Sequence, residues 1–263
     1  METEPTKANR TALSFLAHPD DAEFLCAGTL IRLRDAGWSV HVATATPGDC
    51  GSATQDRWAI SAVRTNEAAR ACGLIAATYH CLDERDIFVV YDNPTLKKAI
   101  DLMRRVNPSV VFTHAPRDYM MDHEMVSQLA RAATFAFGIP NVSDDVPAPP
   151  GAAVPHLYYC DPFEGTEIPY SVAPEPTTLV DVTGVYDRKE QMLACHASQR
   201  EWLRAHHGMD EYLEAMRRHA GGRGKRIGTK YAEAFVQHRG HSYPKDDVLA
   251  ELFPPSPPGR GQG

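Results

Sequence analysis

The first half of the chain alternates short apolar runs with amphipathic stretches of helical period. Four apolar runs predict strands, at 11–17, 39–45, 76–82 and 109–114. Between and after them, apolar side chains recur every three or four residues, which predicts helices at 21–36, 57–72, 94–106 and 123–137. Gly37, Gly73 and Pro108 follow three of these helical stretches, at positions where helices commonly end.

This alternation predicts an α/β fold of the Rossmann-like type, in which a mostly parallel sheet carries helices on both faces. Such sheets bind ligands at the carboxyl ends of their strands. The two segments richest in reactive side chains directly follow strands. AHPDDAEF (17–24) follows the first strand, and HAPRDYMMDHE (114–124) follows the fourth. We therefore expect these two segments to lie together at one edge of the sheet.

The second half of the chain has a weaker pattern. Residues 138–155 are rich in Pro, Gly, Asp and Ala and predict a long loop, a candidate lid over a substrate. Two short strands are expected at 156–160 and 177–182, and helices at 184–205, 209–219 and 229–238. We expect residues 1–253 to form a single domain with a helical C-terminal segment, and 254–263 to be a disordered tail.

Composition narrows the class of protein. The 263 residues suffice for one substantial core, and a formal net charge of −7 argues against a nucleic-acid partner, which needs clustered cations. No apolar run reaches the roughly 18 residues of a membrane-spanning helix, and the polar N-terminus lacks the apolar stretch of a secretion signal. We expect a cytoplasmic protein. Its six cysteines are expected to be reduced packing residues: Cys26, Cys50, Cys72, Cys81, Cys160 and Cys195.

The turn after the first strand concentrates three reactive side chains. His18, Asp20 and Asp21 lie within four residues, and Pro19 restricts the backbone between them. Two adjacent carboxylates repel each other unless a cation or hydrogen bonds compensate. Imidazole and carboxylate ligands suit Zn²⁺, whose catalytic sites keep three protein ligands and one open position. A helix start capped by acidic residues is the alternative explanation of this segment.

A third metal ligand is expected from the second segment. It offers His114, Asp118, Asp122 and His123, and His123 would open the following helix at the same rim of the sheet. A surface histidine in the first helical turn is the alternative for His123. For Asp122, a helix N-cap and a carboxylate that accepts the N–H of a ligand imidazole are both open.

The segment AHPDDAEF resembles the first signature of the PIG-L/LmbE-like family of zinc-dependent N-deacetylases. Three further segments fit the resemblance in order and spacing: RTNEA (64–68), DYMMDHE (118–124) and KEQMLACHASQ (189–199). The resemblance extends over roughly residues 11–200. Members of this family deacetylate N-acetylglucosaminyl lipids, N-acetylglucosamine conjugates of inositol or malate, chitooligosaccharides and related amides.

The resemblance implies a metal site and a reaction. His18, Asp21 and His123 would hold one Zn²⁺ per chain, although iron, cobalt or manganese could occupy the same site. Asp20 would be the general base for a zinc-activated water that removes an N-acetyl group from an N-acetylglucosamine-like substrate. The implied partner is a small-molecule amino-sugar conjugate. Family members often form multimers, so a homo-oligomer is also an open expectation.

Four more residues are candidates for substrate binding. The resemblance aligns Arg64 with an arginine that contacts the sugar or its anionic aglycone, and Asp86 with an acid that binds sugar hydroxyls. Asp118 and His196 join them as candidates. Structural alternatives stay open for three of the four. Arg64 could pair with Glu67 on its own helix. Asp86 could be a turn acid, and His196 could be a buried, hydrogen-bonded histidine.

The chain departs from the family pattern at one position. Many members carry a histidine three residues before the last ligand, and here Met120 holds that position. In those members the histidine helps to stabilise the oxyanion, so this protein needs another donor or does without one. The candidate donors are Tyr119, His114, His196, His238 and His241.

Three other functions stay open. The same metal could serve an amidase that acts on a larger acyl-amine conjugate. The chain could instead be a non-catalytic family member that binds an amino sugar, an option favoured by Met120 and opposed by the retained Asp20. A nucleotide-binding module is disfavoured, because neither GxGxxG nor GxxxxGKS/T follows the first strand.

Overall fold

The structure, a computed structural model, describes residues 9–143, 145–163, 174–200 and 211–254. Its strands are β1 (Thr11–Leu16), β2 (Ser39–Thr44), β3 (Thr78–Cys81), β4 (Val110–Thr113), β5 (His156–Cys160), β6 (Thr178–Asp181) and β7 (Ala232–Gln237). They form one sheet in the order β3-β2-β1-β4-β5-β7-β6. The first five strands are parallel and β7 is antiparallel to β5 and β6, so the predicted mostly parallel sheet is confirmed.

Helices surround this sheet, and local sequence fixes several of their ends. They are α1 (Asp21–Leu25), α2 (Ala27–Asp35), α3 (Arg57–Gly73), α4 (Asn93–Val106), α5 (Met121–Ala136), α6 (Tyr186–Ala194), α7 (Glu211–Ile227) and α8 (Val248–Leu252). The Asp56 carboxylate accepts the N–H groups of Trp58 and Ala59 and so caps the start of α3. Asn107, in the left-handed conformation, ends α4.

Two apolar clusters cover the two faces of the sheet. Successive residues of β1 point to opposite sides, so Ala12 and Leu16 lie in one cluster while Leu13 and Phe15 lie in the other. The first cluster continues through α2, α6 and α7, and the second through α4 and α5. Burial on both faces is typical of parallel sheets, and it confirms the predicted placement of helices on both sides.

The helix predicted over 21–36 is interrupted at Cys26, where φ is −140° and α1 gives way to α2. The break frees N–H groups at the start of α2. The Glu233 carboxylate accepts those of Gly28 and Thr29 at 2.8 and 2.7 Å, and it also accepts from the buried Lys189 ammonium. Because Glu233 lies in β7, far along the chain, local periodicity could not predict this break.

The helix predicted over 229–238 is wrong, because these residues form β7. Alanine, glutamate and glutamine favour helices, but the segment pairs with β5 on one side and β6 on the other. Phe235 packs in the cluster with α2 and α6, whereas Val236 packs against the opposite cluster. Burial between two strands therefore overrides the local helical preference.

Other boundaries in the second half differ by smaller amounts. The helix predicted over 209–219 is confirmed as α7, which continues to Ile227. The helix predicted over 184–205 is interrupted: α6 ends at Ala194, and residues 197–200 are helical again. Residues 201–210, and 255–263 of the predicted tail, lie outside the described residues.

The long loop between α5 and β5 is anchored by a buried arginine. Arg104 of α4 donates to the carbonyl groups of Phe137, Ile139 and Ser143. These acceptors compensate the cost of burying a guanidinium charge. The loop leads to the amino end of β5, where the His156 N–H meets the carbonyl of residue 109. This is the sheet edge opposite the carboxyl ends of β1 and β4, so the loop does not form the expected lid.

The helices and the cysteines agree with two further predictions. None of the helices in the described ranges is long and apolar enough to cross a membrane. All six cysteines are free, as predicted. Cys26, Cys72 and Cys160 pack in the interior, whereas Cys50 is exposed.

Replacing Glu233 by Gln should lower the free energy of unfolding by about 3–5 kcal/mol, because the change leaves the Lys189 ammonium buried without a counter-charge. Chemical denaturation followed by circular dichroism measures the loss. Arg188→Ala is the control, because it removes an exposed ion pair with Asp35 and should cost at most about 1 kcal/mol. An equally small loss for Glu233→Gln would contradict the role given to the buried pair.

Candidate functional site

The carboxyl ends of β1 and β4 bring the two reactive segments together, as predicted. His18 and Asp21 follow β1 directly, and His123 lies in the first turn of α5, after β4. One potential ligand atom from each of these three side chains lies within 4.8 Å of the other two. The two histidines are buried, and Asp21 is partly exposed. The three residues implied by the family resemblance therefore share one site.

The turn that carries these residues has an unusual backbone. Asp20 has a φ of 105°, in the left-handed region that non-glycine residues rarely adopt. The Asp21 carboxylate closes the turn by accepting the His18 backbone N–H at 2.7 Å. The Arg64 guanidinium supports it by donating to the Pro19 carbonyl at 2.9 Å. Backbone strain of this kind, held by surrounding contacts, clusters at functional sites.

Each of the two histidines is held by a carboxylate. Asp122 Oδ2 lies 3.2 Å from His18 Nε2, and Asp118 Oδ1 lies 2.9 Å from His123 Nδ1. The other nitrogen of each ring faces Asp21, at 3.4 Å for His18 Nδ1 and 3.6 Å for His123 Nε2. Carboxylates that accept the outer N–H of an imidazole are typical of histidines that bind a metal.

This donor set fits a zinc ion. Four-coordinate zinc with nitrogen and oxygen ligands at about 2.1 Å places neighbouring ligand atoms about 3.4 Å apart. His18 Nδ1 lies 3.4 Å from Asp21 Oδ2 and His123 Nε2 lies 3.6 Å from Asp21 Oδ1, which are separations of this size. Three protein ligands also leave a fourth position for water or substrate, as in catalytic zinc sites.

Helix capping does not explain the acidic residues of the site. Asp20 occupies the N-cap position of α1, but its side chain makes no capping hydrogen bond. Asp122 lies inside the first turn of α5, whose N-cap residue is Met120. The Asp122 carboxylate instead lies beside His18 and accepts the Ile87 N–H at 2.6 Å. The N-cap alternative for Asp122 is therefore wrong.

The electrostatics of the site favour a positive charge. Burial alone would raise the pKa of Asp21, but His123 and His114 hold it well below its usual range. Burial alone would lower the pKa of His18, but hydrogen bonds to Asp122 and Asp21 raise it to about 10. Carboxylates therefore dominate the surroundings of His18, as they do where a cation is bound.

His114 lies beneath the site rather than in its opening. Its ring stacks on that of His123, with centroids 3.8 Å apart. It is fully buried, and its Nε2 accepts the Ala17 N–H at 3.0 Å. Burial, reinforced by His123, lowers the pKa of His114 to about 4, so the ring is neutral. A second group of possible ligands, formed by His114, Asp118 and His123, shares His123 with the first.

Asp20 directly precedes the candidate ligand Asp21 in the turn, and its carboxylate is held on one side. Its Oδ2 atom accepts the Tyr212 hydroxyl at 2.6 Å and lies 3.3 Å from Arg64 Nη2. Burial raises the pKa of Asp20, and both Arg64 and Tyr212 act in the opposite direction. Tyr212 belongs to α7 and to none of the segments singled out in the sequence, so no sequence signal indicated it.

Arg64 and Asp86, both predicted to contact substrate, are buried behind the turn. Their side chains are only 5% and 6% exposed, and Arg64 Nη1 lies 3.9 Å from Asp86 Oδ2. The same Asp86 oxygen accepts the Cys50 N–H at 3.0 Å. Glu67, the alternative partner of Arg64, accepts the N–H and hydroxyl of Ser198. Its hydrogen bonds therefore join α3 to the segment that follows α6.

Asp118 and His196, the other two predicted substrate contacts, are also buried. The Asp118 side chain is 2% exposed and faces His123. His196 Nε2 lies 3.4 Å from Glu23 Oε1, and neither ring nitrogen makes a hydrogen bond within the described part of the chain. Burial alone would lower the pKa of His196, but Glu23 raises it.

A third group of possible ligands consists of Asp49, Cys50 and Asp86. The Asp49 carboxylate accepts from Arg85 Nε at 3.0 Å and from the Asp86 N–H at 2.8 Å. These hydrogen bonds join the loop after β2 to the loop after β3. They account for the grouping without a metal.

Of the candidate oxyanion donors that are not buried, one lies at the site and two lie at the opposite edge of the sheet. Tyr119 is 59% exposed and meets the ring of His123 edge to face, with centroids 5.4 Å apart. His238 lies at the opposite edge of the sheet, where its N–H meets the Leu157 carbonyl near the start of β5, and His241 follows it. Tyr119 therefore combines exposure with contact to a candidate ligand.

Comparison with protein families agrees with this geometry. Residues 13–134 match the family described as PIG-L, GlcNAc-PI de-N-acetylase. The matched span contains the candidate ligands His18, Asp21 and His123 together with Asp20. The resemblance inferred from the sequence motifs is confirmed.

Two characterised relatives have different activities. The 1D-myo-inositol 2-acetamido-2-deoxy-alpha-D-glucopyranoside deacetylase of Rhodococcus opacus B4 is 28% identical over 249 residues, covering 73% of this chain and 82% of the relative. The 4-oxalmesaconate hydratase of Pseudomonas putida KT2440 is 26% identical over 199 residues, covering 72% and 74%. Sequence similarity thus extends to a deacetylase and to a hydratase.

Solved structures share the fold. The N,N'-diacetylchitobiose deacetylase of Pyrococcus horikoshii has a TM-score of 0.75 at 22% identity, covering 93% of this chain and 91% of that one. The 4-carboxy-2-hydroxymuconate hydratase GalB of Pseudomonas putida KT2440 has a TM-score of 0.74 at 22% identity, covering 90% and 100%. The family match over residues 13–134 and the two relatives agree with the resemblance to the PIG-L/LmbE-like family, and the solved structures agree with the fold.

Proposed function

We propose that this chain is a metal-dependent hydrolase that removes an N-acetyl group from an N-acetylglucosamine-like substrate. The observation that carries the proposal is the grouping of His18, Asp21 and His123, with Asp20 next to Asp21 in the same turn. The match to the GlcNAc-PI de-N-acetylase family supports the substrate class. The Rhodococcus relative, a deacetylase of an acetamido sugar joined to inositol, supports the bond that is cleaved.

His18, Asp21 and His123 would hold one Zn²⁺, and other divalent metals suit the same donors. When bound, zinc supplies Lewis acidity that lowers the pKa of a water and polarises the amide carbonyl. Asp122 and Asp118 keep the two histidines in the tautomer that binds a metal, because each accepts the outer N–H of one ring.

Asp20 is the proposed general base. It lies next to the ligands without being one of them, so its carboxylate is available for proton transfer. Asp20 takes a proton from the water whose oxygen attacks the acetyl carbon. It then delivers that proton to the sugar nitrogen as the C–N bond breaks. The products are acetate and the free amino sugar.

Four further residues were predicted to bind substrate, and one of them has a different role in this proposal. Asp118 orients His123 rather than the substrate, since its side chain is 2% exposed and faces that ring. Contacts of substrate with Arg64, Asp86 or His196 stay predictions. So do a homo-oligomeric state, the lack of a nucleic-acid partner and a cytoplasmic location.

Tyr119 is the proposed donor to the oxyanion. The histidine that many family members carry is replaced by Met120, whose thioether cannot donate a hydrogen bond. The Tyr119 ring is exposed and lies against His123, so its hydroxyl can approach a substrate carbonyl at the site.

A hydratase is the second candidate function. It is favoured by the 26% identical 4-oxalmesaconate hydratase and by the loss of the family histidine at Met120. Adding water across a carbon–carbon double bond needs an activated water and a group that moves a proton, which the same residues offer. An amidase on a larger acyl-amine conjugate and a non-catalytic amino-sugar-binding protein also stay predictions.

Asp20→Asn should lower kcat for amine release about 100- to 10,000-fold, because the amide cannot accept the water proton. Zinc content should not change, because Asp20 is not a ligand. The assay follows free amine formed from N-acetylglucosamine conjugates, with elemental analysis of the same samples. Asp35→Asn, an exposed acid paired with Arg188, is the control and should match the wild type.

The same assay separates the two candidate functions. Wild-type turnover in Asp20→Asn would exclude the mechanism proposed here. If the wild type releases no amine but hydrates 4-oxalmesaconate, the second candidate function is correct.

His123→Ala should remove most of the zinc from a protein that otherwise holds about one ion per chain. Asp118→Asn should weaken zinc binding about 10- to 100-fold, because the ligand ring loses its orienting carboxylate. Elemental analysis and competition with a chelator measure both effects. His238→Ala, at the opposite edge of the sheet, is the control. Wild-type zinc content in His123→Ala would exclude the proposed ligand set.

Zinc loading at pH 7 should release about one proton from His18, because the metal requires the neutral ring. The carboxylates around His18 raise its pKa to about 10 without metal, so the ring is protonated at pH 7. Zinc affinity should therefore rise with pH up to that value. Calorimetric titrations in two buffers with different ionisation enthalpies count the protons, and identical apparent enthalpies would contradict this prediction.

A further inference from the structure

The carboxylate of Asp20 is fixed by two donors that come from distant parts of the chain. Tyr212 donates its hydroxyl to Oδ2 at 2.6 Å, and Arg64 Nη2 lies 3.3 Å from the same oxygen. Within the described residues no hydrogen bond reaches Oδ1, and the Asp20 side chain is 16% exposed. One carboxylate oxygen is held, and the other is left for a water.

A carboxylate without such bonds would not keep one orientation. The terminal torsion of an aspartate side chain is broad, so its two oxygens readily exchange directions. Charge-assisted hydrogen bonds to one oxygen restrict this rotation and fix the direction of the other. Orientation matters for a catalytic group, since a misplacement of about 1 Å can cost about 100-fold in rate.

Arg64 is a weaker anchor for Asp20 than Tyr212. Its Nη2 atom also donates to the Pro19 carbonyl at 2.9 Å, a shorter contact than the one to Asp20, and its Nη1 donates to the Gly48 carbonyl. The Tyr212 hydroxyl makes the shorter contact to Asp20. The guanidinium is thus committed mainly to the backbone of the turn, and the tyrosine to the carboxylate.

The packing of α7 holds the tyrosine in place. Leu213 and Met216 of the same helix are buried in the apolar cluster that also contains α2 and α6, and Tyr212 packs against this cluster. A ring fixed in this way presents its hydroxyl with little loss of side-chain freedom on binding Asp20.

We propose that Tyr212 is a positioning residue for the general base: its hydroxyl anchors Oδ2 of Asp20 so that Oδ1 meets the reacting water. This inference rests on the proposed hydrolase function. It adds a residue beyond the span 13–134 that matches the family. The Tyr212 hydroxyl donates to Asp20, which is not a candidate ligand, so we expect Tyr212 to act on kcat and not on metal content.

Tyr212→Phe tests the inference, because it removes the hydroxyl and keeps the ring. For amine release from an N-acetylglucosamine conjugate, kcat should fall about 10- to 100-fold, which corresponds to one hydrogen bond to a charged group. KM should stay within about twofold, and zinc content should equal that of the wild type. Thermal melting of the zinc-loaded protein checks that the fold is kept.

Tyr186→Phe is the matched control. Tyr186 is buried in the same apolar cluster, and its hydroxyl has no hydrogen-bond partner among the residues that the structure describes. The same chemical change should therefore leave kcat and KM at wild-type values. A loss equal to that of Tyr212→Phe would mean that removing any hydroxyl from this cluster disturbs the site, and it would overturn the proposal.

A double mutant separates positioning from a general structural effect. In the Asp20→Asn background, Tyr212→Phe should cause no further loss of the residual turnover, because the anchored group is no longer a base. Wild-type kcat in Tyr212→Phe alone, or a full further loss in the double mutant, would overturn the proposal. A wild-type protein that releases no amine would instead overturn the hydrolase function, and the inference with it.

Discussion

The carboxylate of Asp21 is the interaction on which the site depends. It accepts the backbone N–H of His18, and its oxygens lie within 3.6 Å of ring nitrogens of His18, His114 and His123. Two of these histidines follow β4 and one follows β1, so the contacts require the parallel pairing of those strands. Asp21 is also the first residue of α1, and its carboxylate closes the left-handed turn at Asp20. One side chain thus stabilises the turn after β1 and is also a candidate metal ligand.

Much of the first half of the fold could be predicted from the sequence. Strands such as β1 and β4 are continuous apolar runs, and helices α3 and α4 carry their own stop signals. The candidate ligands could be predicted too, because parallel strands end at one edge and His18, Asp21 and His123 follow two neighbouring strands. Local pattern and general topology were sufficient for these features.

The features that the sequence did not reveal depend on contacts between distant segments. The break at Cys26 is stabilised by Glu233, and the β7 strand has a helical composition that its neighbours in the sheet override. Tyr212 belongs to an ordinary amphipathic helix and meets Asp20 only in the folded chain. Arg64 was predicted to contact substrate, but it is buried and its guanidinium donates to the Pro19 carbonyl of the turn. Periodicity and motif spacing carry no information about such pairings.

The contact between α7 and Asp20 has a consequence for how this kind of protein diversifies. The family match ends at residue 134 and the motifs end at residue 199, yet the direction of the Asp20 carboxylate is set from residue 212. Substitutions in α7 can therefore redirect the carboxylate while every motif residue stays the same. A helix outside the family match is therefore as much a part of the surroundings of Asp20 as the motif residues are, and a comparison of motifs alone does not examine it.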